Sequence, residues 1–197
     1  MKEQQKKYEL TDEFIELYSG KKLYRIRALV TFGTVVVGQL GGFVESEKNL
    51  DQSLCGDAWV SGDAWVYGNA LVYGDARVSG DARVYGDARV YGDAQVYGDA
   101  RVYGDAQVYG DALVRSYAVI YERKMIFWAT NVGSENGTLT VFNGENGLIV
   151  TRGCFVGTVD EFLAKSAEVH DDKTKNEYKL LIEVAKSRIL GVKDERN

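Results

Sequence analysis

From Gly56 to Tyr121 the chain repeats one six-residue phrase eleven times without an insertion: GDAWVS, GDAWVY, GNALVY, GDARVS, GDARVY, GDARVY, GDAQVY, GDARVY, GDAQVY, GDALVR and a degenerate SYAVIY. Periodicity of this kind sets the architecture before local propensity matters. Within each hexad, Ala and Val point one way, and Asp, the variable residue and Tyr or Ser point the other. The small apolar set must be buried. A flat sheet would leave it bare on one side, whereas a coiled chain closes the interior on itself.

The phrase Val-x-Gly-Asp-Ala-x resembles the hexapeptide repeat of left-handed parallel β-helices over about a third of the chain. That resemblance implies a triangular prism with three hexads per coil, an aliphatic interior, corners at Gly-Asp, and left-handed coiling against the usual crossover preference. The Tyr after Val departs from the family, where a small or acidic residue is common. Relatives of this type are often homotrimers, and many are acyltransferases with a histidine base beside an acyl-CoA groove. Acetyl-CoA is the only cofactor this implies; the residues themselves call for none.

With 18 residues per coil, the outward columns follow directly. One face carries Trp59, Arg77, Gln95 and Leu113 beside Ser61, Ser79, Tyr97 and Arg115. The second carries Trp65, Arg83, Arg101 and Val119 beside Tyr67, Tyr85, Tyr103 and Tyr121, and the third Leu71, Arg89 and Gln107 beside Tyr73, Tyr91 and Tyr109. Arg83, Arg101, Tyr67, Tyr85 and Tyr103 are the candidate binding residues, because Arg and Tyr favour interface hot spots and also stack on bases or sugars. Guanidinium groups lying over Tyr faces would serve equally well as mutual cover. The Ser61 and Ser79 positions flatten the first face, where another subunit can approach closely.

Asp residues stack at the corners, for instance Asp63, Asp81 and Asp99. Like charges ~4.8 Å apart repel by about 1 kcal/mol in water. Two compensations are expected: backbone N–H groups of the same turn and an Arg two residues later. A calcium ladder would need paired glycines that the repeat lacks, so no metal is assigned.

A prism of eleven hexads is roughly 18 Å tall and has strand edges exposed at both ends. The flanks are the obvious caps. FIELYSGKKLYRIRAL predicts a hairpin about Ser19-Gly20, with Tyr24, Ile26 and Ala28 facing Ile15 and Leu17. The segment GQLGGFVESEKNL resembles the lead-in of hexapeptide-repeat proteins classed as transferases in bacteria and also carried by phages. Leu54 is in phase with the repeat valines. Trp59 and Trp65 are expected to pack under this cap.

After the repeats, KMIFWATNV, GTLTVF and GLIVTRG predict three strands. Two helices follow, one from the Thr158/Glu161 capping box with Phe162, Leu163, Ala167 and Val169 as its apolar face, one from Asp172 with Tyr178, Leu181, Ile182, Ala185 and Ile189. RGCFVGTVDEF with HDDKTKNEYKLLIEVAK resembles a C-terminal module of phage-encoded proteins. The predicted fold is mainly β: a left-handed parallel β-helix of about four coils, an N-terminal hairpin cap and a small C-terminal α+β (β-β-β-α-α) domain, divided at 1–53, 54–121 and 122–197.

Chemistry has few candidates. His170 is the one histidine, between the two helices and beside Asp171 and Asp172; a C-terminal helix cap is its commoner use. Cys154 would act as a nucleophile only within reach of His170, and a buried thiol on a strand is its structural alternative. Both are marginal catalytic candidates. Cys55 and Cys154 are too far apart in sequence to suggest a framework, which suits a reducing cytoplasm of a bacterium or infected host cell. No apolar run reaches membrane-spanning length, and a net charge of −5 argues against direct nucleic-acid binding. The leading expectation is a non-enzymatic structural or interaction protein, phage or prophage encoded. It would trimerise through the prism and meet a host protein, for example a defence or DNA-binding protein that the acidic prism mimics nucleic acid to block. Acyltransferase and glycan- or nucleotide-binding module are the alternatives.

Overall fold

A computed structural model describes residues 5–191; the outermost residues of both flanking regions lie outside the described residues. Strands β1 (Tyr8–Glu16), β2 (Lys22–Ala28) and β3 (Leu40–Val44) precede the repeats. Each hexad then supplies one two-residue strand: β4 (Trp59–Val60), β5 (Trp65–Val66), β6 (Leu71–Val72), β7 (Arg77–Val78), β8 (Arg83–Val84), β9 (Arg89–Val90), β10 (Gln95–Val96), β11 (Arg101–Val102), β12 (Gln107–Val108), β13 (Leu113–Val114) and β14 (Val119–Ile120). Strands β15 (Ile126–Val132), β16 (Gly137–Gly144), β17 (Gly147–Arg152) and β18 (Phe155–Thr158) form an antiparallel sheet, followed by α1 (Val159–Val169) and α2 (Asp172–Leu190).

The repeats make a parallel β-solenoid of about four turns with three faces, ordered β4-β7-β10-β13, β5-β8-β11-β14 and β6-β9-β12. Partners are 18 residues apart, as in Val66 with Val84 and Val84 with Val102. The inward residues from Ala58 to Ile120 in the Ala and Val phases are at most 1% exposed. Each buried Val contributes about 1.5–3 kcal/mol of transfer free energy. The corners use Gly in the left-handed region; at Gly80 (φ +70°) an added Cβ would sit 2.9 Å from the Gly98 nitrogen of the next coil. A side chain there meets both a backbone penalty and a backbone clash.

The lead-in also belongs to the solenoid, with a different offset. Val44 pairs with Val66 and Leu50 with Val72, 22 residues apart instead of 18. The four additional residues fall in the corner between Leu50 and Ala58. Leu50 therefore fills the interior at 1% exposure, and Leu54, which the repeat phase had placed inside, is 49% exposed. The hairpin turns at Gly20 as expected (φ +77°). A register shift between Leu10 and Phe14 changes the phase along β1, and Leu23, not Tyr24, is buried with Ile26 and Ala28. Because β3 pairs with both β2 and β5, this hairpin extends one solenoid face into a seven-stranded sheet, β1-β2-β3-β5-β8-β11-β14.

The C-terminal sheet has a fourth strand, β18, paired to β17 from Arg152/Phe155 to Ile149/Thr158. Alternation explains how this sheet can be apolar on both sides. Ile126 and Phe142 join the solenoid core, with Trp128 and Ile149 packed against it. Leu139, Val141 and Val150 join Phe162, Tyr178, Ile182, Ala185 and Ile189 in a second core. The sheet is thus a lid on the last coil and a floor for the helices. On α1 the buried residues are Val159, Phe162 and Ser166, three and four apart, whereas Ala167 and Val169 face outward. The α2 residues fall as the 3.6-residue period predicts.

Candidate interaction face and the C-terminal cleft

The most continuous outward surface is the seven-stranded face. In register along it stand Arg25, Phe43, Trp65, Arg83 and Arg101. The Arg25 guanidinium lies 4.2 Å from the Phe43 ring centroid, and that of Arg83 lies 4.3 Å from Trp65. Glu13 meets Arg25 at 2.8 Å at one end, and Glu145 meets Arg101 at 3.6 Å at the other. The column therefore ties hairpin, repeats and lid together. Sequence periodicity found its repeat members and missed Arg25, Phe43 and Glu145. Phe43 was detectable: Gly42-Phe43-Val44 mirrors Ala64-Trp65-Val66, with Gly in place of Ala because a Cβ there would lie 2.6 Å from the Ala64 oxygen. Arg25 carries no such signal, since its place depends on a register shift between Arg25 and Arg27.

Beside this column Tyr67, Tyr85 and Tyr103 stack at 5.0 and 4.9 Å between ring centroids, with planes within 4°. Tyr121 continues the stack, tilted by 31° at 5.4 Å. A second ladder, Tyr73, Tyr91 and Tyr109, repeats the 4.9 Å spacing and ends edge-on against Trp128 of the lid. Rings thus cover rings, and among the described residues the expected Arg-over-Tyr packing occurs only at Arg115, whose guanidinium is 5.9 Å from Tyr97. Burial raises the Tyr67 and Tyr85 hydroxyl pKa values above the ordinary phenol range, and for Tyr85 the flanking phenols add to the effect. Tyr67 and Tyr85 therefore carry neutral phenols at ordinary pH. All five candidate binding residues share this face.

On the first face, Trp59 is 2% exposed, edge-on to Tyr8 and Phe32. Trp65 is half-buried under Arg83. The flattened stretch at Ser61 and Ser79 becomes a groove of about 220 Å³ with Trp59, Arg77, Gln95 and Tyr97. At one end Thr34 accepts from Arg77, and at the other Arg115 reaches Phe155 of the lid.

The Asp corners behave differently from expectation. Their ion pairs come from outside the repeats, Arg25 to Asp63 at 3.6 Å and Arg123 to Asp105 at 3.8 Å, with both carboxylates well exposed. Side chains also bridge coils: Asp57 N–H donates to Asp75 and the Asn69 amide donates to Asp87. Water screening and these bridges replace the Arg two residues on. Among the described residues no three His, Cys, Asp or Glu side chains form a group that could hold a metal ion.

His170 and Cys154 line one cleft in the C-terminal domain, with Arg152, Phe155, Phe162, Lys165, Ser166 and Tyr178 among the other walls. Cys154 is not a buried strand residue. It is exposed in the two-residue turn Gly153-Cys154 joining β17 to β18, with Gly153 at φ +56°. His170 caps α1: its N–H donates to the Ser166 carbonyl, and its Nδ1 is 3.1 Å from Ser166 Oγ. Asp171 is turned away to cap α2, accepting from Thr174, and that bond lowers its carboxyl pKa. Asp172 pairs with Lys175 at 3.4 Å, and among the described residues the side-chain hydrogen-bond partner of the imidazole is Ser166.

A family model described as the YdcK β-solenoid repeat matches in overlapping stretches, 64–80, 76–92, 82–96, 94–106 and 106–122. The match covers the hexads only, so the chain is similar to that family within its repeats. No curated protein matches the chain. Among the described residues, no helix is long and apolar enough to cross a membrane.

Proposed function

We propose that this protein is a non-enzymatic interaction scaffold whose seven-stranded face docks a protein partner. The observation that carries the reading is the pairing of two in-register columns: stacked Tyr67, Tyr85 and Tyr103 beside Trp65, Arg83 and Arg101. Stacked rings lose little entropy on binding because neighbours already restrict them, and flat aromatic and Arg surface is what interface centres favour. The flanking Asp corners and the overall charge of −5 favour a protein over a polyanion. The resemblance of both flanks to phage-borne proteins supports a phage or prophage origin, with a host protein as partner in the infected cell's cytoplasm. A homotrimer completes the scaffold.

The acyl-CoA-dependent alternative has no side-chain arrangement in its favour, since the repeats contain no histidine. The test is capture from host lysate by wild type, Tyr85→Ala and Arg83→Ala, each checked for an unchanged melting temperature. One stoichiometric protein captured by wild type and lost by both variants is expected, with a solution mass near three times 21.9 kDa. Capture that both variants retain would overturn the docking face. Capture of glycan or nucleotide instead would move the reading to a ligand-binding module.

A further inference from the structure

The C-terminal cleft has a built character that the interaction scaffold does not use. It is about 280 Å³ in volume. That is larger than a cavity holding one benzene (~150 Å³) and just under the usual range for drug-sized ligands. Three aromatic side chains that line it are arranged edge to face, Phe155 with Phe162 at 5.4 Å and Phe162 with Tyr178 at 5.1 Å. Phe162 and Tyr178 are 4% and 1% exposed, so this wall is fixed by the domain core. Offered to a ligand, such a wall prefers a flat ring or a branched aliphatic group.

The charged lining is unequal in sign: Arg152 and Lys165 against Glu135. Arg152 is partly committed, donating through Nε to Tyr178 Oη at 3.0 Å and through Nη2 to the Val132 carbonyl at 3.3 Å. These bonds hold the guanidinium in place. Among the described residues Lys165 pairs only with Glu168 on its own helix, at 3.3 Å with both side chains exposed, a contact that costs little to exchange. His170 adds a ring already oriented by Ser166, itself 3% exposed. An apolar wall with a cationic rim is complementary to an amphipathic anion.

We propose that this cleft is a binding site for a small amphipathic monocarboxylate, an aromatic or branched aliphatic group of about six to nine carbons carrying one carboxylate. The apolar part packs on Phe155 and Val169, above a floor of buried Phe162 and Tyr178; the carboxylate meets Lys165 and His170. Cys154 stands at the same cleft, so occupancy shields its thiol.

The two exposed thiols make the test internally controlled, because Cys55 is in the N-terminal corner and Cys154 is in the cleft. The alkylation rate of each cysteine in the full chain is followed by peptide mass spectrometry with iodoacetamide. The probes are 3-phenylpropionate, 4-methylpentanoate and the neutral 3-phenylpropanamide, each at about 10 mM, suited to the weak affinity of a fragment. At least one acid should slow Cys154 by about fivefold or more and leave Cys55 unchanged; the amide should not. Lys165→Glu should abolish the protection without moving the melting temperature. Val169→Trp, which fills the cleft, should slow Cys154 without any ligand and remove the dependence on acid. Unchanged Cys154 rates with both acids, equal protection by the amide, or protection retained in Lys165→Glu would each overturn the assignment.

Discussion

The two ends of the solenoid are closed by different means. At the N-terminal end the stack is extended by backbone pairing, through β3 and β2 to β1, whose outer edge carries Glu9, Asp12, Glu13 and Glu16. Charges on an edge strand discourage a further strand from joining. Polar side chains complete the seal. Gln52 accepts from the N–H groups of Lys7 and Tyr8 and donates to the Tyr8 carbonyl, while Asn49 donates to the Gly68 and Ala70 carbonyls. At the other end most of the lid crosses the last coil without continuing it, apart from one bridge between Ala118 and Gly144. Side chains take the place of a strand partner: Thr140 Oγ1 accepts from Leu113 N–H, Thr151 donates to the Leu113 carbonyl, and Asn143 donates to the Val119 carbonyl. An open edge can thus be ended by extending it to a charged strand or by covering it with hydroxyl and amide groups; only the second leaves the cap free to carry another domain.

This contrast can be broken most severely at Phe142, fully buried between lid and last coil. Phe142→Ala should cost about 3–5 kcal/mol and split urea unfolding into two transitions, the lid with its helices first. An equally large loss with a single transition would mean that lid and solenoid unfold as one unit. Next in size, Thr151→Val removes one hydrogen bond but keeps the shape, leaving the Leu113 carbonyl without that donor. A loss of about 1–3 kcal/mol is expected by chemical denaturation, and none would mean that the carbonyl finds another partner.

The smallest effect at neutral pH is expected at Lys7, fully buried in the N-terminal seal with Nζ donating to the Gly56 carbonyl at 3.1 Å. Burial lowers its pKa, opposed by Asp51, Asp57 and Asp75. The unfolded chain then binds more protons than the folded one between the lowered value and the ordinary lysine value of 10.5. Stability attributable to this group therefore rises as pH climbs through that window and is flat well below it. Lys7→Met should be within about 1 kcal/mol of wild type at pH 7 and should remove that rise. A rise that persists in Lys7→Met would assign it to another group.

The solenoid was legible because its information is local. Ala94, Val96 and Gly98 each repeat an instruction stated at least nine times elsewhere, and an 18-residue coil places them without knowledge of anything distant. The lead-in was not legible in the same way. Leu54 matches the phase of the repeat valines, yet four additional corner residues hand its place to Leu50. The helices were found from their periods and caps, but Ser166 rather than Ala167 faces the core, since the position four residues after Phe162 is buried whatever its polarity. Of the candidate site, the periodicity gathered Tyr67, Tyr85, Tyr103, Arg83 and Arg101 on one face. It could not say that Trp65 would hold Arg83 or that Glu145 would reach Arg101.

By itself the sequence determined the coiled stack, its Ala and Val interior, its Gly-Asp corners and the identity of each outward column, because all of these follow from a period of six and the alternation of a strand. Only the tertiary structure decided that one face would run unbroken through seven strands, that the C-terminal sheet would be apolar on both sides, and that Cys154 and His170 would share a cleft. The physical reason is the range of the interactions: a repeat is set by contacts to the next coil, whereas caps and clefts depend on a register shift, a corner insertion and a two-residue turn that no period announces.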